Sequence, residues 1–272
     1  MQSREYALRS IKAYVQECRF LFARYPEKTP VEITQDDVAR YIVHIKTAYG
    51  VGRDKVRMAA HAFGFFYTHI EPNSYVKPKS LYPKKAFVLP GILSRREAKH
   101  LFASDISAKQ RAMLGLFYGS GLRLNELRNL QPKDIDSQGM QVKVRHGKGG
   151  KDRFTLLSKQ TLEDLRSYWK VHRPKIYLFE GSLPGKPMHE RSIQHAVRLA
   201  FDKAGLGKDL SSHNLRHSFA THMLDAGTDI HTIKELLGHS KIETTMIYLH
   251  LTQKKRTTLR SPLDAIDTPE QP

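Results

Sequence analysis

Cysteine is almost missing from this chain: Cys18 is the only one among 272 residues. No intrachain disulfide can form, and a single thiol rules out the usual cysteine-rich zinc sites. The apolar neighbours of Cys18 predict that it packs. Long apolar runs are missing as well. None approaches the roughly 20 residues needed to cross a bilayer as a helix, and the opening stretch MQSREYALRS lacks the apolar core of a signal peptide. The chain is expected to be soluble and cytoplasmic, with no membrane partner. No internal repeat or long low-complexity segment is found. Acidic residues are the last shortage. Lys and Arg number 45 against 27 Asp and Glu, a formal net charge of +18 and a pI near 9.9.

Apolar residues make up 40% of the chain, enough for a core, and charged residues an ordinary 26%. The length suits one large domain or two smaller ones. Residues 1–90 carry 15 basic and 8 acidic groups and the remainder 30 and 19, so the net charges are +7 and +11. The excess is therefore not a detachable basic tail. Two basic modules suit a polyanionic partner, most often nucleic acid. The plain alternative is a basic surface that aids solubility.

Apolar periodicity predicts a helix over residues 4–25, with Tyr6, Ile11, Tyr14, Val15, Leu21 and Phe22 on one face. Thr34 and Asp37 form a weak capping box before a second helix whose apolar face is Val38, Tyr41, Ile42 and Ile45. A third helix, about 52–70, carries Phe63, Phe65, Phe66 and Tyr67, which are expected to be core rather than base-stacking groups. Pro72, Pro78, Pro83 and Pro90, interleaved with lysines, then exclude a helix and mark a basic linker. Beyond it, Ser94 and Glu97 cap a helix, and others are expected at 108–118, 159–171, 190–204, 213–225, 229–237 and 241–250. Residues 140–146 and 152–157 alternate as strands, with Met140, Val142 and Val144 on one side and Phe154 and Leu156 alternating similarly. Gly147-Lys148-Gly149-Gly150 forms the hairpin tip between them. The fold class is mainly α with a small antiparallel β-sheet. The domains expected are a helical unit over 1–75, a linker over 76–92, an α+β unit over 93–255 and a tail over 256–272.

Five stretches stand out: Gly121–Leu127 (GLRLNEL), His146–Arg153 (HGKGGKDR), His213–His217 (HNLRH), Leu236–Ser240 (LLGHS) and Thr244–His250 (TTMIYLH). Singly each is weak. An arginine in a helix usually faces solvent, and a tyrosine on an amphipathic helix is usually core. In order, the five resemble the tyrosine recombinase, or phage integrase, family. Its signature is an arginine in a Gly-Leu-Arg-x-x-Glu-Leu segment, a hairpin lysine, a His-x-x-Arg box, a Gly-His after a helix, and a tyrosine nine residues later. Arg123, Lys148, His213, Arg216, His239 and Tyr248 match all six places. The resemblance is strong over about 93–250, while residues 4–70 match the family's helical core-binding domain only in a general way. It implies that those six residues are catalytic.

The chemistry asks for such a set. Exchanging a phosphodiester for a phosphotyrosine keeps the bond energy, so neither water nor ATP is consumed. The attacked phosphate becomes a five-coordinate, doubly charged species, which protein cations can meet without a metal. Arginine donates two parallel bonds to phosphate oxygens, so Arg123 and Arg216 suit a clamp, with His239 as a further donor. Tyr248 has a reference pKa of about 10 and needs a proton acceptor; His213 is placed to be that acceptor, and Lys148 to protonate the departing 5′ oxygen. The resemblance, not the sequence, divides acid from base between these two. Glu126 either orients an active-site arginine or makes a helix-face ion pair. Lys151 and Arg153 flank Lys148, and His217 and His222 are expected to pack. Ser240 and Glu243 predict another capping box, with Tyr248 about two turns into the helix.

The expected activity is site-specific DNA recombination or integration through a 3′-phosphotyrosine, without cofactor or metal. Double-stranded DNA is the partner, so association with the nucleoid follows. The resemblance implies a C-shaped clamp of two domains on DNA and four protomers on two sites. The alternatives are a type IB topoisomerase-like relaxing enzyme and a non-catalytic DNA-binding protein. The tail either packs on a neighbouring protomer or is disordered.

Overall fold

The computed structural model describes residue 6 and residues 8–71, 90–145, 152–183, 185–207 and 210–251. The hairpin tip with Lys148, most of the expected linker and the expected tail lie outside the described residues. The chain separates into two compact units, Met1–Phe87 and Val88–Pro272.

Among the described residues the first unit holds three helices: α1 (Leu8–Arg24), α2 (Gln35–Ala48) and α3 (Arg53–His69). The expected box starts α2: the Asp37 amide donates to Thr34 Oγ1 at 3.2 Å, and the Thr34 amide donates to the Asp37 carboxylate at 2.9 Å. Val38, Tyr41, Ile42 and Ile45 are buried as expected. So are Phe63 and Tyr67, and Phe66 packs edge-on against Phe22 at 5.3 Å between ring centroids. Each fully buried aromatic or aliphatic side chain contributes on the order of 2 kcal/mol. α1 departs from expectation at Val15, which is exposed. Its inward stripe runs through Tyr14, Glu17, Cys18 and Leu21 instead. Glu17 is tolerated inside because Lys55 of α3 pairs with it. Cys18 packs against this core, and burial, with Glu17 beside it, pushes its thiol up to about 11.

The second unit contains α4 (Arg95–Ala103), α5 (Ala108–Gly119), α6 (Leu124–Asn129), α7 (Lys159–His172), α8 (Glu190–Lys203), α9 (Ser212–Asp225), α10 (Ile230–Leu237) and α11 (Glu243–Met246). α5 is the central helix: Met113, Leu114, Leu116 and Phe117 are wholly buried, and α7 and α9 pack on it. Three strands, β1 (Ile135–Asp136), β2 (Gln141–Val144) and β3 (Arg153–Leu156), pair antiparallel in that order.

β2 buries Val142 and Val144 as its alternation predicts. β3 is reversed. Phe154 and Leu156 are exposed, and Thr155 is buried. The register explains it: Val142 stands opposite Thr155 and Val144 opposite Arg153, so these two face inward with the valines. Polar partners hold them there. Thr155 Oγ1 donates to the Ser120 carbonyl at 2.8 Å, and Arg153 meets a carboxylate described below.

The segment after His239 also differs. Ser240 and Glu243 form no cap; Ile242 is the N-cap of α11, with no side-chain bond, and the helix lasts one turn. A 3-10 turn over Ile247–His250 follows and carries Tyr248. Three β-branched residues, Thr244, Thr245 and Ile247, weaken a regular helix here, and Thr245 and Tyr248 are both drawn into the interior.

Candidate active site

The site is built where the α5–α6 turn, β3, α9, the α10 C-terminus and the turn carrying Tyr248 meet. The first is the turn between α5 and α6. Gly121 adopts φ +63°, and a Cβ there would lie 2.6 Å from the Phe219 ring, so only glycine fits. Its carbonyl accepts from Arg216 Nη1. Two residues on, Arg123 occupies the N-cap of α6. Its amide donates to Glu126 Oε2 at 2.8 Å and its Nη1 donates to Oε1 at 2.7 Å.

Glu126 serves three arginines. Besides Arg123, Arg153 of β3 donates Nη1 to Oε1 and Nη2 to Oε2, each at 2.8 Å. Arg216 stands 3.8 Å from Oε2. Burial alone would raise the carboxyl, but Arg153 first and then Arg123 outweigh it and hold it down to about 2. Glu126 therefore orients the arginines by direct bonds, and it is more than a helix-face ion pair.

The α10 C-terminus supplies a further piece. Gly238 ends the helix at φ +63°, and a Cβ there would lie 2.9 Å from Arg153 Cδ. The Gly238 carbonyl accepts from Arg123 Nη2 at 3.3 Å, and the Leu237 carbonyl from Arg216 Nη2 at 2.7 Å. His239 follows directly. Its Nε2 lies 3.2 Å from Arg216 Nη2 and its Nδ1 2.9 Å from Thr245 Oγ1. A guanidinium only donates, so Nε2 accepts and the ring proton sits on Nδ1, donated to Thr245. That tautomer is a neutral imidazole. Burial, then Arg216, Arg123, Arg153 and His217, hold His239 down to about 3. In this arrangement His239 Nε2 is an acceptor toward Arg216. Burial, then Arg123, also pull the Arg216 guanidinium below its ordinary value, yet it stays charged at neutral pH.

Tyr248 is the last piece. It is 1% exposed and stacks on His239 with ring centroids 6.4 Å apart. Burial raises its phenol, and Arg216 and Arg123 oppose that rise. Its hydroxyl lies 3.1 Å from His217 Nδ1. His217, expected only to pack, thus touches the reactive atom. His213 does not. It sits one turn earlier on α9, exposed, with its ring edge-on to His217 at 5.7 Å. Burial and then His213 hold His217 down to about 4, and burial with Arg216 and Arg123 lowers His213 too. His222 does pack, with Nδ1 2.9 Å from the Tyr118 hydroxyl.

Arg123, Arg216, His239 and Tyr248 therefore converge, with His213 at the edge of the group; Lys148 lies outside the described residues. Sequence reasoning assigned Thr245 no role, placed Arg153 only as a neighbour of Lys148 and expected His217 only to pack. No local pattern marked Arg153 or His217, whose partners Glu126 and Tyr248 lie in distant segments.

The phage integrase family model matches residues 92–255, and the model of the phage integrase N-terminal SAM-like domain matches residues 1–75. A Sinorhizobium fredii protein named as an integrase/recombinase, y4qK, is 37% identical over 270 residues, covering 99% of this chain and 87% of its own. The tyrosine recombinase XerC of Lactobacillus leichmannii is 38% identical over 159 residues, 56% of this chain and 54% of its own. Among solved structures, the XerA recombinase superposes with a TM-score of 0.59 at 29% identity, covering 96% of both chains. The XerH recombinase bound to its difH substrate gives a TM-score of 0.75 at 21% identity, covering 92% of this chain and 79% of that one. By sequence and by fold, the chain belongs to the phage integrase family of tyrosine recombinases.

Proposed function

We propose that this protein is a site-specific DNA recombinase that cuts and rejoins duplex DNA through a 3′-phosphotyrosine on Tyr248. One observation carries the reading: two guanidinium groups, Arg123 and Arg216, are fixed at the Gly238-His239 corner beside the Tyr248 ring. Each guanidinium has five donors. The bonds described use two on Arg123, leaving others for the non-bridging oxygens of a phosphate.

The catalytic set is Arg123, Lys148, His213, Arg216, His239 and Tyr248. The arginines hold the attacked phosphate and neutralise its developing charge. Tyr248 attacks phosphorus and keeps the 3′ end; Lys148 protonates the 5′ oxygen that leaves. Rejoining reverses these steps with another strand's hydroxyl. The phosphotyrosine stores the bond energy, so the reaction runs without ATP, and the arginines take the place of a metal ion. Two duplexes have four strands to cut, and each protomer offers one Tyr248, so four protomers act on two sites. Residues 1–75 and 93–255 grip the duplex as two basic modules, joined by the linker over 76–92. The protein works in the cytoplasm on nucleoid DNA. The relatives named above are recombinases and integrases rather than relaxing enzymes, which favours strand exchange over topoisomerase activity.

The test is covalent trapping. Incubation with nicked target DNA should give a protein–DNA adduct that survives denaturation, and Tyr248→Phe should bind DNA without forming it. Adduct formation by that variant would remove Tyr248 from the mechanism. Mixing two DNA sites should give joint products; relaxed circles alone would return the topoisomerase reading.

A further inference from the structure

We propose that His217 is a further catalytic residue: it is the group that takes the proton from Tyr248. This rests on Tyr248 being the nucleophile. The hydroxyl of Tyr248 lies 3.1 Å from His217 Nδ1 and is buried, so its proton has nowhere else among the described contacts to go. His213 makes no hydrogen bond to Tyr248 among the described residues; its ring faces that of His217 instead. His239 stacks on the Tyr248 ring with both nitrogens occupied by Arg216 and Thr245.

The donor direction follows from acidity. A phenol, at a reference pKa near 10, is a far stronger proton donor than a neutral imidazole N–H, and the imidazole lone pair is the stronger base. The favourable pair is phenol O–H to Nδ1, with the His217 ring proton on Nε2. Position favours it too. His213 and His217 are four residues apart on α9, so they share one face. His217 is the inner of the two and His213 the exposed one. His217 takes the proton, and His213 is its more exposed ring neighbour.

The step balances. The Tyr248 O–H bond breaks and an N–H bond forms at His217 Nδ1. The phenolate oxygen bonds phosphorus while the bond to the 5′ oxygen breaks, and that oxygen collects its proton from Lys148. The imidazolium formed on His217 returns its proton to Tyr248 when the strands rejoin. Burial, then His213 and Arg216, disfavour this imidazolium, so it gives the proton back readily.

A DNA substrate with sulfur in place of the bridging 5′ oxygen separates the two proton transfers, because a thiolate leaves without protonation. Removing a general base lowers rate by on the order of a hundredfold or more. His217→Phe should therefore cleave both oxygen and sulfur substrates about a hundredfold more slowly, with DNA affinity within about threefold of the parent. Lys148→Ala should be slow on oxygen and restored on sulfur. His217→Asn keeps a hydrogen-bond acceptor but no comparable base, so it should share the defect of His217→Phe on both substrates. It also serves if His217→Phe fails to fold. Parent-like cleavage by a folded His217 variant, or a defect that disappears on the sulfur substrate, would overturn the proposal. If the parent itself forms no adduct at Tyr248, the recombinase reading fails first. If the parent forms it and the His217 variants are unimpaired, only this inference fails.

Discussion

Arg153 and Glu126 face each other as a two-bond pair, Nη1 to Oε1 and Nη2 to Oε2, both at 2.8 Å. The pair ties β3 to the start of α6, and the same carboxylate orients Arg123. Removing one partner of a buried ion pair leaves an uncompensated charge and costs about 3–5 kcal/mol. Glu126→Gln is expected to lose about that much stability in urea unfolding, and to lose cleavage beyond what lower stability explains. Arg153→Lys, which cannot make the paired bonds, should lose both in smaller measure. Parent-like values for Glu126→Gln would show that the carboxylate does not organise the site.

Stability should fall in acid in two stages. His239 and His217 are held at about 3 and about 4, below the ordinary 6.5. The unfolded chain binds their protons first, so their contribution is present above pH 6.5 and lost as pH falls through the folded values. Glu126 is held at about 2 against 4.5, so its contribution is complete above pH 4.5 and is lost toward 2. Urea midpoints should decline from pH 6.5 and more steeply below 4.5. A flat profile from pH 7.5 to 4 would contradict these assignments.

Binding a phosphate should load a proton onto His239. Its Nε2 accepts from Arg216 in the free protein. A phosphate that recruits Arg216 frees that nitrogen, and the anion offsets the charges of Arg123, Arg153 and Arg216 and the neighbouring His217. Calorimetry of DNA binding in two buffers of different ionisation enthalpy should register proton uptake that grows as pH falls from 8 to 6. His239→Asn should reduce it. Equal heats in both buffers would leave His239 an acceptor throughout.

Chelation should leave cleavage unchanged if, as proposed, arginines supply the positive charge at the phosphate. Adduct yield in EDTA is expected to match that in magnesium. Loss in EDTA, restored by a divalent ion, would replace the proposed chemistry with a metal-assisted one.

Much of this was legible from residues alone, where local rules agree with tertiary packing. The Thr34–Asp37 and Ser94–Glu97 caps formed because both partners are adjacent in sequence. The faces of α2 and β2 were readable for the same reason. The failures share another cause. Phe154 and Leu156 are apolar, yet Arg153 and Thr155 face inward, because a carboxylate and a carbonyl from distant segments wait for them. The Ser240–Glu243 cap is absent because Thr245 and Tyr248 are drawn inside. The bond of His217 to Tyr248 joins residues 31 apart, a distance that spacing within one helix does not report.

Arg216 is held by two main-chain carbonyls, those of Gly121 and Leu237. A side chain anchored this way takes its position from the path of the backbone, which amino-acid replacements elsewhere disturb little. The outward surface is then free to drift. A lineage can trade the residues that read one DNA sequence for those that read another while its cutting machinery stays in register. Retargeting such a protein is, for that reason, a problem of surface substitution rather than of rebuilding its chemistry.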